Sequence, residues 1–208
     1  MHVQLIEYLL MTTIVLAAGL SERMGQNKLL LPYKNEAIIV TTVKNALSFS
    51  DRVIVVVGNE RERIIQALST LNVDFVYNKN YKDGQRSSTL EGIKAVFDDD
   101  FSILPGDLPL LKKEDAIALF AHLDERGIAR CSYKGIPGHP VAYTKENRER
   151  LLTYPGSMKD YLQKMGYLSL SSSLGSVFDI DTPNKYQALL ESDGDLSILE
   201  RCCNISFS

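Results

Sequence analysis

The chain has 208 residues, a length that fits one domain with a sizeable core. Its 23 Lys and Arg against 26 Asp and Glu give a net charge of −3, which excludes the basic footprint of a non-specific nucleic-acid binder. Hydrophobic residues make up 45% and charged residues 24%, a profile typical of a globular protein and not of a disordered chain.

The cysteines and the apolar runs argue against three further classes. Cys131, Cys202 and Cys203 form neither a disulfide framework nor a spacing typical of zinc, so we expect a cytoplasmic protein. No apolar run reaches the ~20 residues that span a bilayer, so we expect no membrane partner. Residues 5–20 lack a basic start and are interrupted by Glu7, so we expect no signal peptide.

The hydrophobic pattern predicts strands that alternate with helices. In the first half, strands are predicted at 12–18, 52–57, 73–77 and 101–104, and helices at 37–49, 61–71 and 89–97. In the second half, helices are predicted at 114–126, 145–153, 158–165 and 184–191, and strands at 128–133, 140–143, 167–171 and 177–180. The stretches 19–28 and 82–89 are polar and are predicted as loops.

This alternation indicates βαβ units and therefore an α/β fold with a mainly parallel sheet. Residues 52–57 (RVIVVV) are continuously apolar, as in a parallel strand that is covered on both faces. We expect one domain at 12–191, preceded by an N-terminal extension at 1–11 and followed by a C-terminal tail at 192–208.

The first segment that suggests chemistry is residues 16–28 (LAAGLSERMGQNK), which leaves the carboxyl end of the first predicted strand. In open α/β sheets this edge carries the ligand. The small residues 17–19 let the backbone approach a ligand, and successive N–H groups can cradle phosphate oxygens. Arg23 and Lys28 add a planar fork and a point charge that suit a polyphosphate. The alternative is a glycine turn with solvated basic residues, since the segment matches neither the Walker A loop nor GxGxxG.

The run LAAGLSERMGQNKLLLP resembles the signature of the MobA-like nucleotidyltransferases, LAAGxSxRMGxxKxLxP, and the similarity extends over residues 12–190. Within that superfamily, the chain is most similar to molybdenum cofactor cytidylyltransferases. The resemblance implies a three-layer α/β/α Rossmann-like nucleotidyltransferase fold. It also implies that the backbone of Leu16, Ala17, Ala18 and Gly19 binds a nucleotide.

Two later segments resemble acidic elements of the same family. Residues 105–109 (PGDLP) resemble its GDxP element, in which Asp107 at a strand end would hold Mg²⁺ against nucleotide phosphates. Residues 179–183 (DIDTP) resemble its DIDTPxD element, in which Asp181 would be the second metal ligand. The alternatives are a turn residue at Asp107 and a helix start at 181–183, with Asp181 or Thr182 as the cap.

Two other segments resemble ligand-binding loops of the family. Residues 84–92 (GQRSSTLEG) resemble its GxxSSLxxG loop, which implies that Ser87 and Ser88 bind the nucleotide; the alternative is that Ser88 or Thr89 only caps a helix. Residues 137–140 (PGHP) resemble its GHPV segment, which implies an acceptor-side role for His139.

One segment departs from the family. Residues 154–160 (YPGSMKD) stand where relatives carry a GDxGAR-like segment, so the family's arginine is absent, and Lys159 is the candidate replacement.

The resemblance implies an enzyme that moves a nucleotide, with CTP favoured as the donor, onto a molybdopterin-type acceptor and releases pyrophosphate. Arg23, Lys28 and Asp107 are the expected catalytic residues, and Asp107 and Asp181 the expected Mg²⁺ ligands. The alternatives are a GTP-specific or sugar-phosphate-specific transferase, and a non-catalytic maturation factor for an apo molybdenum hydroxylase.

Overall fold

The structure is a computed structural model that describes residues 11–123, 127–192 and 195–202. Its strands are β1 (Met11–Ala17), β2 (Pro32–Tyr33), β3 (Glu36–Ala37), β4 (Arg52–Val57), β5 (Asp74–Tyr77), β6 (Asp100–Pro105), β7 (Ile128–Tyr133), β8 (Ile136–Tyr143) and β9 (Leu168–Ser171). Its helices are α1 (Ile38–Leu47), α2 (Arg61–Ala67), α3 (Gln85–Lys94), α4 (Lys113–Ala121), α5 (Asn147–Thr153), α6 (Met158–Met165), α7 (Pro183–Glu191) and α8 (Leu196–Cys202).

Seven strands form one sheet in the order β5-β4-β1-β6-β8-β7-β9, and β2 pairs with β3 in a separate ribbon. In the large sheet, β8 is antiparallel to both of its neighbours, and every other pairing is parallel. Six strands therefore run in one direction and β8 runs against them. The expected α/β fold with a mainly parallel sheet is confirmed.

Strand β1 lies at the centre of three layers. All seven of its residues are buried, and successive side chains face opposite sides of the sheet. Ile14 packs with Ile93 of α3 on one face, whereas Val15 packs with Ile39 of α1 and Ile64 of α2 on the other. Apolar side chains are therefore buried on both faces of this strand, as is typical of a parallel strand between two helix layers.

Helix α3 begins four residues earlier than predicted, at Gln85. Residues 85–89 carry no apolar periodicity, so the sequence predicts a loop there. In the structure, Gly84 has a φ of 94°, which changes the direction of the chain, and the helix begins at the next residue. Ser88 and Thr89 are the fourth and fifth residues of this helix. The alternative in which either residue caps the helix is therefore wrong.

The predicted strand at 177–180 is also wrong. Phe178 donates its N–H to Leu174 and Asp179 donates to Val177, so the segment closes local turns and no ladder forms. Ile180 makes one long-range backbone bond, to the carbonyl of Asp107. Phe178 and Ile180 are both fully buried, so the alternating apolar pattern reflects burial of a loop.

Two features at the chain's second half differ from or refine the expectations. Strand β8 starts at Ile136 because Lys134 and Gly135, both with positive φ, make a tight hairpin turn with β7. Thr182 caps α7 by accepting a hydrogen bond from the Lys185 N–H, as one of the two capping alternatives expected. The region 192–208 contains α8, whose Leu199 is buried against Phe178 and Ile180.

Residues 1–10, 124–126, 193–194 and 203–208 lie outside the described residues, and with them most of the expected N-terminal extension, the end of the helix predicted at 114–126, and Cys203. Of the helices that the structure describes, none is long and apolar enough to cross a membrane.

Candidate active site

A cleft of about 640 Å³ opens at the carboxyl ends of β1 and β6. It is lined by the loop that follows β1, the end of β6, residues 137–139 of β8, the start of α3 and residues 176–181. The first three segments meet because β1, β6 and β8 are neighbours in the sheet. Residues 176–181 are tied to the end of β6 by the hydrogen bond from the Ile180 N–H to the Asp107 carbonyl. This is the edge at which open α/β sheets bind ligands.

The structure brings Lys28 and Asp107 together in this cleft. The Lys28 ammonium forms an ion pair with Asp107 Oδ2. Gly106 makes the approach possible, because its N–H donates to the Leu16 carbonyl at 3.0 Å and a Cβ there would lie 2.9 Å from the same oxygen. A larger residue would push the end of β6 away from the loop that follows β1.

Local hydrogen bonds explain where the loop places Lys28. Ser21 adopts a left-handed conformation, and its hydroxyl accepts a hydrogen bond from the Lys28 N–H at 3.2 Å. Asn27 caps a short 3-10 turn, Lys28–Leu30, by accepting from the Leu29 N–H at 3.1 Å. Leu29 is buried in the core, so the turn is anchored beneath the cleft and its lysine projects into it.

A second ion pair joins the loop to the segment before α7. Arg23 Nη1 lies 2.8 Å from Asp181 Oδ2, and the Arg23 side chain is 69% exposed. Lys185 of α7 pairs with Asp179, and its ammonium is also 3.3 Å from Asp181 Oδ1. That oxygen is buried and forms no hydrogen bond with the described residues, so Lys185 acts on it only through charge.

Burial shapes the electrostatics of the cleft floor. It raises the pKa of the Asp107 carboxyl above its ordinary value, and the Lys28 ammonium acts in the opposite direction. Burial would lower the pKa of Lys185, but the contacts with Asp179 and Asp181 outweigh it and the pKa is raised. Lys185 is therefore a permanent cation that offsets the two carboxylates.

His139 lies on β8 and lines the cleft. Burial, assisted by the Arg130 guanidinium, lowers the pKa of its imidazole to about 4. The ring is therefore neutral near pH 7, and its Nδ1 atom is buried with no hydrogen-bond partner among the described residues. Arg130 also donates to the Gly138 carbonyl at 2.9 Å, which holds this part of β8 in place.

The remaining predicted site residues divide into two groups. Leu16, Ala18, Gly19 and Ser88 line the cleft. The structure places Ala17 and Ser87 outside the lining: the side chain of Ala17 packs in the core, and the Ser87 hydroxyl bonds to backbone carbonyls near the start of α3.

Several lining residues were not singled out from the sequence. Asp179, Tyr81 and Gln85 all line the cleft. Asp179 stood in the quoted DIDTP motif, so its carboxylate could have been considered beside that of Asp181. Tyr81 and Gln85 carry no sequence signal of their own, because only the packing of the 3-10 turn Tyr81–Asp83 against α3 places them there.

The divergent segment 154–160 lies outside the cleft lining. Ser157 and Asp160 form a capping box that starts α6, and Arg86 donates to the carbonyl of Gly156 at 2.9 Å. Lys159 is likewise outside the lining. The segment therefore serves as a helix cap tied to α3.

The carboxylates of the cleft suit a divalent cation that is shared with a ligand. The described residues contain no group of three or more His, Cys, Asp or Glu that would form an all-protein metal cage. Mg²⁺ is usually held by one or two carboxylates together with substrate phosphates and water, so such a cage is not needed. Asp107 and Asp181, whose buried Oδ1 atom accepts no hydrogen bond from the described residues, fit that donor set.

Comparison with known proteins agrees with this geometry. Residues 13–167 match the MobA-like NTP transferase domain. The molybdenum cofactor cytidylyltransferase of Escherichia coli is 30% identical over 83% of this chain and 92% of its own length. A probable molybdenum cofactor guanylyltransferase of Aquifex aeolicus is 30% identical over 55% of this chain and 54% of its own.

Among solved structures, Rv0371c of Mycobacterium tuberculosis superimposes with a TM-score of 0.78 at 24% identity, over 88% of this chain and 97% of the other. A complex of the same protein with manganese gives a TM-score of 0.74 at 22% identity, over 88% and 98%. These likenesses confirm the Rossmann-like α/β fold.

The chain belongs to the MobA-like NTP transferase domain family. It is a nucleotidyltransferase, related to enzymes that act in molybdenum cofactor biosynthesis.

Proposed function

We propose that this enzyme transfers CMP from CTP to a molybdopterin-type acceptor and releases pyrophosphate, with Mg²⁺ as its cofactor. The observation that carries the proposal is the meeting of Lys28 with Asp107, and of Arg23 with Asp181, in one cleft at the ligand-binding edge of the sheet. The similarity to a cytidylyltransferase over 83% of the chain supports CTP as the donor.

The reaction needs no covalent intermediate on the protein. A phosphate oxygen of the acceptor attacks the α-phosphorus of CTP, the bond between that phosphorus and the bridging oxygen of the β-phosphate breaks, and pyrophosphate leaves with the electron pair. Catalysis then depends on alignment and on charge stabilisation. The backbone of residues 16–19 holds the nucleotide, with Ala17 contributing through its main chain.

Lys28 and Arg23 supply the positive charge for this step. Each of them forms an ion pair with a carboxylate of the cleft. When the triphosphate binds, they exchange these carboxylates for phosphate oxygens, where they stabilise the negative charge on the α-phosphoryl group and on the departing pyrophosphate.

Asp107 and Asp181 are the residues that would hold Mg²⁺. When bound, the ion offsets the negative charge of the nucleotide phosphates. The exchange of partners described above frees Asp107 from Lys28 and Asp181 from Arg23, whereas Lys185 stays beside Asp181. Lys185 remains paired with Asp179 and keeps the neighbouring Asp181 in place.

On the acceptor side, His139 acts as a neutral hydrogen-bond acceptor. Its unpartnered Nδ1 atom accepts an N–H or O–H of a molybdopterin-type ligand. We also propose that the catalytic domain comprises residues 12–191, that the protein acts in the cytoplasm, and that an apo molybdenum hydroxylase receives the product.

GTP is the second candidate donor, because a guanylyltransferase relative matches about half of the chain. A panel of CTP, GTP, ATP and UTP with Mg²⁺, read by thermal shift, identifies the donor, since a ligand at a hundredfold excess over its Kd stabilises the folded state by about 2.7 kcal/mol. Pyrophosphate release from the best donor with molybdopterin then tests catalysis. Binding without release would favour a non-catalytic maturation factor instead.

A further inference from the structure

Asn78 connects the sheet to α3 beside the cleft. It follows β5 directly, is 1% exposed, and donates its backbone N–H to the Val57 carbonyl at 2.9 Å. Its side-chain Oδ1 accepts a hydrogen bond from the Asn80 N–H at 2.9 Å. Because a backbone N–H can only donate, this bond fixes the amide orientation and directs Nδ2 towards α3.

In this orientation, the Asn78 Nδ2 group donates to two adjacent hydroxyls. It lies 2.8 Å from Ser87 Oγ and 2.9 Å from Ser88 Oγ. Both serine oxygens therefore act as acceptors towards Asn78, and each retains one proton to donate elsewhere.

The two serines use that proton differently. The Ser87 hydroxyl directs its one proton to the carbonyls of Asn80 and Gly84, both at 2.9 Å, so it has no proton left to donate to a ligand. The Ser88 hydroxyl finds no acceptor within residues 11–123, 127–192 and 195–202. Ser88 is 5% exposed and lines the cleft, whereas Ser87 does not.

We infer that Asn78 is a positioning residue that makes Ser88 a hydrogen-bond donor to an acceptor oxygen of the nucleotide. The inference rests on the proposed function. The bond from Asn78 occupies an acceptor site on Ser88 Oγ, so the hydroxyl presents its proton to the ligand. Ser87, held by the same amide, fixes the start of α3 and does not bind ligand.

The substitution Asn78→Asp reverses the hydrogen bond with little change of shape. Asp Oδ1 still accepts from the Asn80 N–H, which preserves the loop. The second carboxylate oxygen can only accept, so the Ser88 proton turns towards it and away from the cleft. Ligand oxygens then meet the lone pairs of Ser88 and a nearby negative charge.

The test is a double-variant cycle read by calorimetric binding of CTP with Mg²⁺. We expect Ser88→Ala to weaken binding by about threefold to tenfold, the value of one hydrogen bond, and Asn78→Asp to weaken it by at least as much. If Asn78 acts through Ser88, the loss of binding free energy in the double variant is smaller than the sum of the losses in the two single variants. Gln66→Glu on the exposed surface of α2 makes the same amide-to-acid change and leaves the affinity at the wild-type value.

A second ligand identifies which oxygen Ser88 contacts. If Ser88→Ala also weakens binding of Mg²⁺ tripolyphosphate, the oxygen belongs to a phosphate; if only CTP binding weakens, it belongs to the nucleoside. Strictly additive losses, or wild-type affinity in either single variant, would overturn the inference and leave the proposed function standing. A wild-type protein that binds no nucleotide would overturn both.

Discussion

Lys28 and Asp107 are 79 positions apart in sequence, and their side chains form an ion pair at the floor of the cleft. The lysine side chain is 21% exposed and the aspartate 7%, so ligand can reach the cation while the carboxylate sits deeper. The pair thus joins the loop after β1 to the end of β6, and both members face the volume in which a triphosphate would lie.

Replacing Lys28 with Ala should lower kcat for pyrophosphate release by ~10² or more, the scale of losing one preorganised charge stabiliser. Lys44→Ala is the matched control, because Lys44 pairs with Glu36 on the surface of α1, outside the cleft lining. This control should keep the wild-type kcat. Near-normal turnover in Lys28→Ala would show that the lysine has no catalytic role.

Asp107→Asn should abolish Mg²⁺-dependent transfer and leave the fold intact. The amide has the shape of the carboxylate and can still accept from Lys28, but it is a far weaker ligand for a hard cation. Steady-state turnover and the thermal midpoint Tm measure the two expectations separately. A variant that kept its turnover would rule out Asp107 as a metal ligand.

His139 should make stability fall as the medium is acidified. The pKa of the His139 imidazole is about 4 in the folded state, against an ordinary value of 6.5. Between these pH values the imidazole is protonated in the unfolded chain and neutral in the folded one. The folded state should therefore lose up to about 3 kcal/mol as pH falls through this window. Urea unfolding at pH 7 and pH 4.5 should show a smaller loss for His139→Gln; equal losses would contradict this.

Gly138→Ala should destabilise the fold by about 1–3 kcal/mol, the range for overpacking. A Cβ at this position would lie 2.5 Å from the Ser176 carbonyl and 2.8 Å from Val177 Cγ1. Gly19→Ala is the steric control, because a Cβ there meets nothing within 4 Å. Chemical unfolding of both variants gives the comparison, and equal stabilities would mean that the segment 176–177 moves aside freely.

The architecture could be predicted where burial and backbone pattern coincide. Strand β4 is covered on both faces, so its continuous apolar run indicates a parallel strand. The rule that ligands bind at the carboxyl ends of such strands then brings residues 16–28 and Asp107 to one edge. Both inferences follow from topology alone.

Other features depend on tertiary packing and have no local signal. The first turn of α3 is polar, so nothing in its composition distinguishes it from a loop, and only the break at Gly84 starts the helix. Phe178 and Ile180 alternate with polar residues as in a strand, but they belong to a segment of turns whose apolar side chains are buried in the core. Lys185 pairs with Asp179 because α7 starts at Pro183 and its first turn brings the lysine next to the preceding segment, which the sequence motif alone does not indicate.

Calorimetric titration of CTP with Mg²⁺ into the wild-type protein and Lys28→Ala tests most directly whether the cations and carboxylates of this cleft act on one triphosphate. We expect the wild-type protein to bind and the variant to bind at least about tenfold more weakly, the loss of about 1.4 kcal/mol. Equal affinity in the two proteins, or a wild-type protein that binds none of CTP, GTP, ATP and UTP, would contradict the proposed site.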